Sequence, residues 1–402
     1  MSMHPSDEIR GVKSKRLSGK KIILGVTGSI AAVESIRLSR ELIRHGAEVI
    51  PVMTKSSTKI IHPDALEFAT GNKPVVELTG YVEHVVFCGR VRKPADLLLI
   101  SPCTANTISK IAHGVDDTPV TTFATTAIGS NIPVLIVPAM HISMYYHKIV
   151  QENIQKCKKN GIKFVGPNLV GSKAKMADID EIVSFVFREI GKRNLHGEKI
   201  LIIGGSTAEP IDDVRVIANR SSGKTAVWLA KNAFYRGADV ELWYGWNQEP
   251  APSFIKTVNF ESIKDVTKLL KNSNFKRFDV IIVCAAIADY IPKKQTGKIS
   301  SGMKKLVLEM KPAPKIISEL RKKTPDAKII GFKVEEKKEK LEEKAFELLK
   351  KNNLDFVVAN TVSGFNKEEN EIWIIDKKRK TIHKKGKKEY LADHILNVLK
   401  EK

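Results

Sequence analysis

Two stretches of this chain begin in the same way, and that limits what it can fold into. "LSGKKIILGVTGSIAA" spans residues 17–32 and "LHGEKILIIGGSTAEP" spans 195–210. Each has a polar lead-in, a short apolar run rich in β-branched residues, and then a loop of glycine and hydroxyl residues. That pattern opens the first strand of a doubly wound α/β domain, with the loop at the carboxyl end of the strand. Further apolar runs follow each start. "AEVIPVMT", "ADLLLISP" and "IPVLIVPA" come after the first; "ADVELWYG", "FDVIIVCAA", "AKIIGFKV" and "LDFVVAN" come after the second. Runs this continuously apolar suit parallel strands buried on both faces. The expected fold is therefore two doubly wound α/β domains joined near "GKRNLHGE", residues 191–198, with the C-terminal "EIWIIDKKRKTIHKKGKKEYLADHILNVL" forming a hairpin and a closing helix.

At 402 residues the chain is long enough for two cores, and 42% hydrophobic with 28% charged residues is ordinary for a globular protein. No run of eighteen apolar residues exists, so no membrane span or membrane partner is expected. Residues 1–18 are polar and basic without an apolar centre, which reads as a flexible tail and not a signal peptide. Four cysteines without a C-x-x-C pair (Cys88, Cys103, Cys157, Cys284) argue against a disulfide framework or structural zinc and for a reducing cytoplasm. The net charge of +22 admits either nucleic acid or small polyanions as partners. Aromatic residues are not interleaved with the lysines as base stacking would need, so nucleic acid is not expected.

Open α/β sheets bind ligands beyond the carboxyl ends of their strands. Here those ends carry Thr27-Gly28-Ser29, Thr54, Ser101-Pro102-Cys103-Thr104 and Pro138-Ala139-Met140-His141. Neither first loop is a dinucleotide fingerprint: "GVTGSIA" lacks a third glycine, and no acidic residue ends the next strand. A mononucleotide with one phosphate fits better. "VIANRSSGKT", residues 216–225, resembles a P-loop in Gly223, Lys224 and Thr225, but Ala218 stands where a glycine is required and no apolar strand feeds it.

The motifs taken together resemble two enzymes fused in one chain, in the archaeal type of arrangement. "GVTGSIAA", "HPDALEFATGNKPV", "EHV", "ADLLLISPCTANTISKIAHGVDDTPVTT" and "VLIVPAMHISMY" are similar to the flavin-dependent phosphopantothenoylcysteine decarboxylases. "GGSTAEPIDDVRVIANRSSGKTA", "AAIADY", "GKISSG", "LEMKPAPKII", "GFKVE" and "ANTVSGFNKEENEI" are similar to phosphopantothenate–cysteine ligase. The resemblance implies a flavoprotein-type decarboxylase domain over 19–190 and a Rossmann-like, CTP-dependent ligase domain over 191–402. It implies a pathway role in coenzyme A biosynthesis: ligation of 4′-phosphopantothenate to L-cysteine through an acyl-cytidylate, then FMN-dependent decarboxylation to 4′-phosphopantetheine. It also implies a homo-oligomer with trimeric and dimeric contacts.

Residue by residue, the resemblance implies that Gly28, Ser29, Thr54, Ser101 and Thr104 hold FMN, and that His84 is the decarboxylase base or orienter. Met140 and His141 would meet the substrate; His141 replaces the usual asparagine, and its ring can donate in place of the amide. The segment "VGPNLVGSKAKMADIDEIV" lacks the family's flap cysteine and offers Lys173, Lys175 and Met176, leaving Cys103 as one candidate proton donor. In the ligase half, Asn219 would stabilise the acyl nucleotide by donating to a developing oxyanion, and Lys298 would neutralise phosphate charge. Ala285, Asp289, Pro314, Lys315, Ile316, Ile317, Phe332 and Lys351 would line the nucleotide site. Mg²⁺ would arrive with CTP, held mostly by phosphate oxygens; no protein ligand to it is assigned. Because of the two departures, a ligase with an inactive flavin domain and a flavin-binding regulatory protein stay open as alternatives.

Overall fold

The computed structural model describes residues 4–302, 304–364 and 367–400. The chain divides into two compact units, Met1–Arg193 and Asn194–Lys402.

In the first unit the apolar runs form β1 (Lys21–Val26), β2 (Glu48–Met53), β3 (Leu97–Cys103) and β4 (Val134–Pro138). After the short β5 (Met140–His141) come β6 (Lys163–Phe164), β7 (Asn168–Val170) and β8 (Lys173–Lys175). A parallel sheet runs in the order β2-β1-β3-β4-β6. The helices are α1 (Pro5–Glu8), α2 (Ser35–Arg44), α3 (Pro63–Thr70), α4 (Glu83–Cys88), α5 (Ala105–His113), α6 (Pro119–Gly129), α7 (Ile142–Tyr145), α8 (Lys148–Lys159) and α9 (Ile179–Ile190). Ile108, Phe123 and Ile154 from α5, α6 and α8 bury against Ile23, Ile100 and Ile136 of the sheet. Helices α2 and α9 pack together. The strand order reverses between β1 and β3, and in open sheets of this order that point holds a mononucleotide beyond the strand ends.

Residues 4–18 correct the expectation of a flexible tail. Ser6 and Leu17 are buried, the Arg10 guanidinium donates to the Ala47 carbonyl, and Lys13 pairs with Glu41 on α2. The segment is polar because it is held by polar bonds, which its composition does not distinguish from solvation.

The second unit contains β9 (Lys199–Gly204), β10 (Ala208–Pro210), β11 (Val216–Ala218), β12 (Asp239–Tyr244), β13 (Lys256–Asn259), β14 (Val280–Val283), β15 (Tyr290–Pro292) and β16 (Met310–Pro312). β17 (Lys328–Glu335), β18 (Phe356–Thr361), β19 (Glu369–Asp376) and β20 (Thr381–Lys387) complete the strands. Its main sheet runs β13-β12-β9-β14-β17-β18-β19-β20. The first six strands are parallel and have the Rossmann order 3-2-1-4-5-6; β19 and β20 add an antiparallel hairpin. Helix α10 (Lys224–Tyr235) packs against α14 (Lys388–Asn397). Helices α11 (Ile263–Asn272), α12 (Ile316–Lys323) and α13 (Leu341–Lys351) bury Val266, Leu320 and Leu349 against Leu201, Ile281 and Ile329. Gly204 permits a close approach, since a Cβ there would sit 2.1 Å from the Ala226 Cβ.

Candidate active sites

At the β1/β3 reversal of the first unit, one hydroxyl ties the two loops. Thr27 Oγ1 donates to the Pro102 carbonyl at 2.8 Å and accepts from Thr104 N at 3.0 Å. Gly28 lies against Ser56, where a Cβ would come within 2.5 Å of the serine Cβ. Ser29 Oγ accepts from Ala31 N, and Thr104 caps α5. Gly28, Ser29 and Thr104 are thus held together and partly open, forming a backbone-lined cradle at helix starts that suits an anion. Thr54 and Ser101 are buried: Thr54 caps the turn at Ser57, and the Ser101 hydroxyl donates to Met176 Sδ at 3.4 Å. Sequence reasoning missed Thr27 as the tie, because its partners lie on a distant loop.

Met140 and His141 form the edge of a small sheet, β5-β8-β7, with Met140 opposite Ala174 and His141 opposite Lys173. The cysteine-free segment therefore folds as a hairpin beside the strand that carries His141, and Met176 sits on Ser101. His141 also caps α7, accepting from Ser143 N at 3.2 Å.

His84 lies on α4. Its Nδ1 is buried and has no hydrogen-bond partner among the described residues. Glu83 fixes the start of that helix by accepting from Thr79 N and Thr79 Oγ1, and those bonds hold its carboxyl below the usual range. Val82, just before, is left-handed at φ 50°, a conformation that costs a β-branched residue about 1–3 kcal/mol. The strained residue and the unpartnered ring nitrogen thus stand two positions apart at the start of α4. A cleft of about 790 Å³ opens nearby in chain terms, between Lys55 and His62 on one side and Asp116 to Thr122 at the start of α6 on the other.

Cys103 is not placed to donate a proton to a ligand. It is fully buried in the core, and burial pushes its thiol well above the usual range. Burial also lifts Cys88 and Cys284 to about 12 and Cys157 to about 11.

In the second unit the strand order reverses between β9 and β14. The ends of those strands are stitched by Cys284 N to Ile203 O and Ala286 N to Gly205 O, each 2.9 Å. Asn219 reaches this point: its Nδ2 donates to the Ala286 carbonyl at 3.0 Å. Asn219 is exposed, and an amide nitrogen carries two hydrogens, so one donor stays available. Ala285 and Phe332 line a pocket of about 120 Å³ with Gly223, Lys224 and Thr225 at the start of α10.

Asp289, Lys298 and Lys315 stand on the surrounding loops and do not line that pocket. Asp289 pairs with Lys315 Nζ at 2.6 Å, and its carbonyl accepts from Ala313 N. Pro314 is exposed beside them, whereas Ile316 is buried and Ile317 packs on the core, so the side chains of these two anchor the start of α12 and do not face the pocket. Lys298 is exposed on a loop clamped from both sides. Gly297 N donates to Asp213 Oδ2, while Ile299 N donates to Asp212 Oδ2. Asp212 is buried and also accepts from Arg215 Nε and Nη2, and Arg215 Nη2 reaches the Ile299 carbonyl. Burial alone would raise the Asp212 carboxyl, but the bonds from Arg215, Ile299 N and Val214 N outweigh it and hold the group far below the carboxylate range.

Lys351 does not belong to the site. It ends α13, the helix that returns the chain to the amino end of β18, so it lies at the sheet edge opposite the strand carboxyl ends. Its helical charge pattern offered no way to tell one end of the helix from the other.

Residues 11–191 match the Flavoprotein family, and residues 195–402 match the family described as DNA/pantothenate metabolism flavoprotein C-terminal domain. The chain is 44% identical to the coenzyme A biosynthesis bifunctional protein CoaBC of Thermococcus kodakarensis, over 99% of this chain and all of that protein. It is 40% identical to the protein of the same name from Methanocaldococcus jannaschii, over 99% of this chain and 98% of that one. Among solved structures, it is similar to the C-terminal domain of a coenzyme A biosynthesis bifunctional protein CoaBC, at 30% identity and TM-score 0.43, covering 52% of this chain and 96% of that one.

Proposed function

The chain belongs to the family of two-domain coenzyme A biosynthesis proteins in which a Flavoprotein domain precedes a DNA/pantothenate metabolism flavoprotein C-terminal domain, and from that membership we propose how its residues divide the work. It is a bifunctional enzyme. The ligase joins 4′-phosphopantothenate to L-cysteine using CTP, and the decarboxylase converts the product to 4′-phosphopantetheine using FMN. The observation that carries this reading is the end-to-end match, in which both units have counterparts in the same order in one relative. We take the decarboxylase as residues 19–190 and the ligase as 191–402.

In the decarboxylase, the residues present fit FMN. Gly28, Ser29 and Thr104 form a cradle for its phosphate at the strand reversal, with Thr54 and Ser101 bracing the loops from behind. The unpartnered Nδ1 of His84 gives a bound group a polar contact to complete. Bound there, FMN would supply a two-electron sink for the cysteine side chain in a decarboxylation that is redox-neutral overall. His84 holds or moves a proton at its free ring nitrogen. Met140 and His141 face the substrate from β5, His141 donating to the carboxylate that is lost, and the β7–β8 hairpin shields the reaction from water.

In the ligase, the carboxylate of phosphopantothenate must be activated before cysteine can attack. Asn219 offers its second amide hydrogen to the oxygen that gains charge as the acyl-cytidylate forms and breaks down. Ala285 and Phe332 receive the nucleotide, and Asp289, Pro314, Lys315, Ile316 and Ile317 shape the loop beside it. Lys298, held by the Asp212–Asp213 clamp, neutralises phosphate charge. Mg²⁺ enters with CTP as part of the substrate.

No helix among the described residues is long and apolar enough to cross a membrane. We place the enzyme in the cytoplasm, to which its four free cysteines are suited, and take it to be a homo-oligomer with trimeric and dimeric contacts. Exposed apolar side chains on the first unit, Ile30, Phe68 and Tyr81 among them, support such contacts.

The test is to purify the full chain, record its flavin spectrum, and supply 4′-phosphopantothenate, L-cysteine and CTP. Release of pyrophosphate and CO₂ with 4′-phosphopantetheine is expected. Accumulation of phosphopantothenoylcysteine would mean that the flavin unit is inert, and absence of any turnover would overturn the reading altogether.

A further inference from the structure

Helix α10 begins without a side-chain cap, its N-cap being Gly223. Among the described residues only a long contact, Lys224 N to Ser222 Oγ at 3.5 Å, meets its first turn, and Thr225 N and Ala226 N have no protein acceptor. An uncapped helix start with the pocket before it carries partial positive charge. A second, independent feature points the same way. Lys388, the first residue of α14, lines the same pocket and is only 7% exposed, yet among the described residues its ammonium has no hydrogen-bond or ion-pair partner. Its neighbour Lys224 is paired with Glu368. Burial first, and then the Lys224 charge, lower the Lys388 pKa; Glu368 and Glu249 attract it without contact. A lysine this largely buried, whose charge meets a pocket and no partner among the described residues, carries a desolvation cost in a protein at rest. It makes sense where an anion completes it.

We propose that Lys388 and the start of α10 bind phosphoryl oxygens, and that these belong to the nucleoside triphosphate and the pyrophosphate it releases. The proposal rests on reading the second unit as a nucleotide-using ligase, but phosphoryl binding can be tested apart from catalysis. The other phosphorylated substrate, a phosphomonoester, carries the same chemistry, so the experiment separates the two sources.

The full-length protein and its Lys388→Met and Lys388→Arg variants are titrated calorimetrically with inorganic pyrophosphate, and their melting is followed with and without it. The Met variant should bind pyrophosphate at least about tenfold more weakly, and the Arg variant within a few-fold of the parent. Without ligand the Met variant should melt no lower than the parent, because an unpaired charge on a largely buried side chain has been removed. Unchanged pyrophosphate affinity with a lowered melting point would make Lys388 a structural residue and overturn the proposal. In steady state, the Met variant should raise KM for CTP about tenfold and leave KM for 4′-phosphopantothenate within about twofold. The reverse pattern would assign the site to the monoester and overturn the triphosphate assignment. Lys388-dependent pyrophosphate binding in a protein without CTP-dependent ligation would sink the ligase reading and leave the site standing. A measurement on the parent alone guards against a variant that does not fold: pyrophosphate should protect Lys388 from amine acylation mapped by mass spectrometry, and equal labelling with and without it would overturn the proposal.

Discussion

Asn219 commits one amide hydrogen to Ala286, and the reading proposed above gives the other to the ligation. Replacing it with alanine should cut amide formation by about 10²–10³-fold or more, the usual loss of a positioned oxyanion donor. Decarboxylation of supplied phosphopantothenoylcysteine should be unchanged, and assays of the two half-pathways on one preparation check this. Asp212 makes a different prediction. Its folded pKa is depressed, so its contribution to stability is complete above the ordinary aspartate value of about 3.9 and is lost only as pH falls through the lower folded value. Asp212→Asn should therefore unfold at lower denaturant than the parent at neutral pH, with the difference shrinking towards strong acid; denaturant titrations across pH measure it. Asn219 could be read from its motif. Asp212 could not be given its role, because the loop it clamps lies 87 residues further along the chain and no local pattern connects them.

The stretch that resembles a P-loop owes its glycine to packing. Gly223 is left-handed at φ 78°, and a Cβ there would stand 2.1 Å from the Tyr244 hydroxyl, which itself donates to the Glu249 carbonyl. Gly223→Ala should cost about 1–3 kcal/mol from the backbone conformation and displace Tyr244. Thermal unfolding should show the loss, and ligase KM for CTP should rise as the start of α10 shifts. The strands were the most legible elements, since runs such as "ADLLLISP" have no other sensible place than a sheet interior. The β7–β8 hairpin was not: three-residue strands carry too little alternation to be seen, and "NLVGSKAK" pairs only because β5 provides a template. Lys351 shows the converse limit, in that helical periodicity fixes a face and says nothing about which end of the helix meets a ligand.

For the whole molecule, the reading of two doubly wound domains followed from two similar strand starts, whereas the reversal of strand order beside which each candidate site lies is displayed by no sequence pattern. The net charge of +22 acts on the same scale. Raising ionic strength from roughly 0.01 to 0.15 M shortens the screening length from about 30 to about 8 Å. KM for CTP and for 4′-phosphopantothenate should rise with salt over that range while kcat changes little; an unchanged KM would show that the bulk charge does not draw substrate in. Part of that charge does a job unrelated to substrates. Strand β20 ends the large sheet, and along it His383, Lys385 and Lys387 are exposed. A further strand from another molecule would have to lay its backbone beside the charges of Lys385 and Lys387, and an edge strand that carries lysines in this way is disfavoured as a template for a ninth strand.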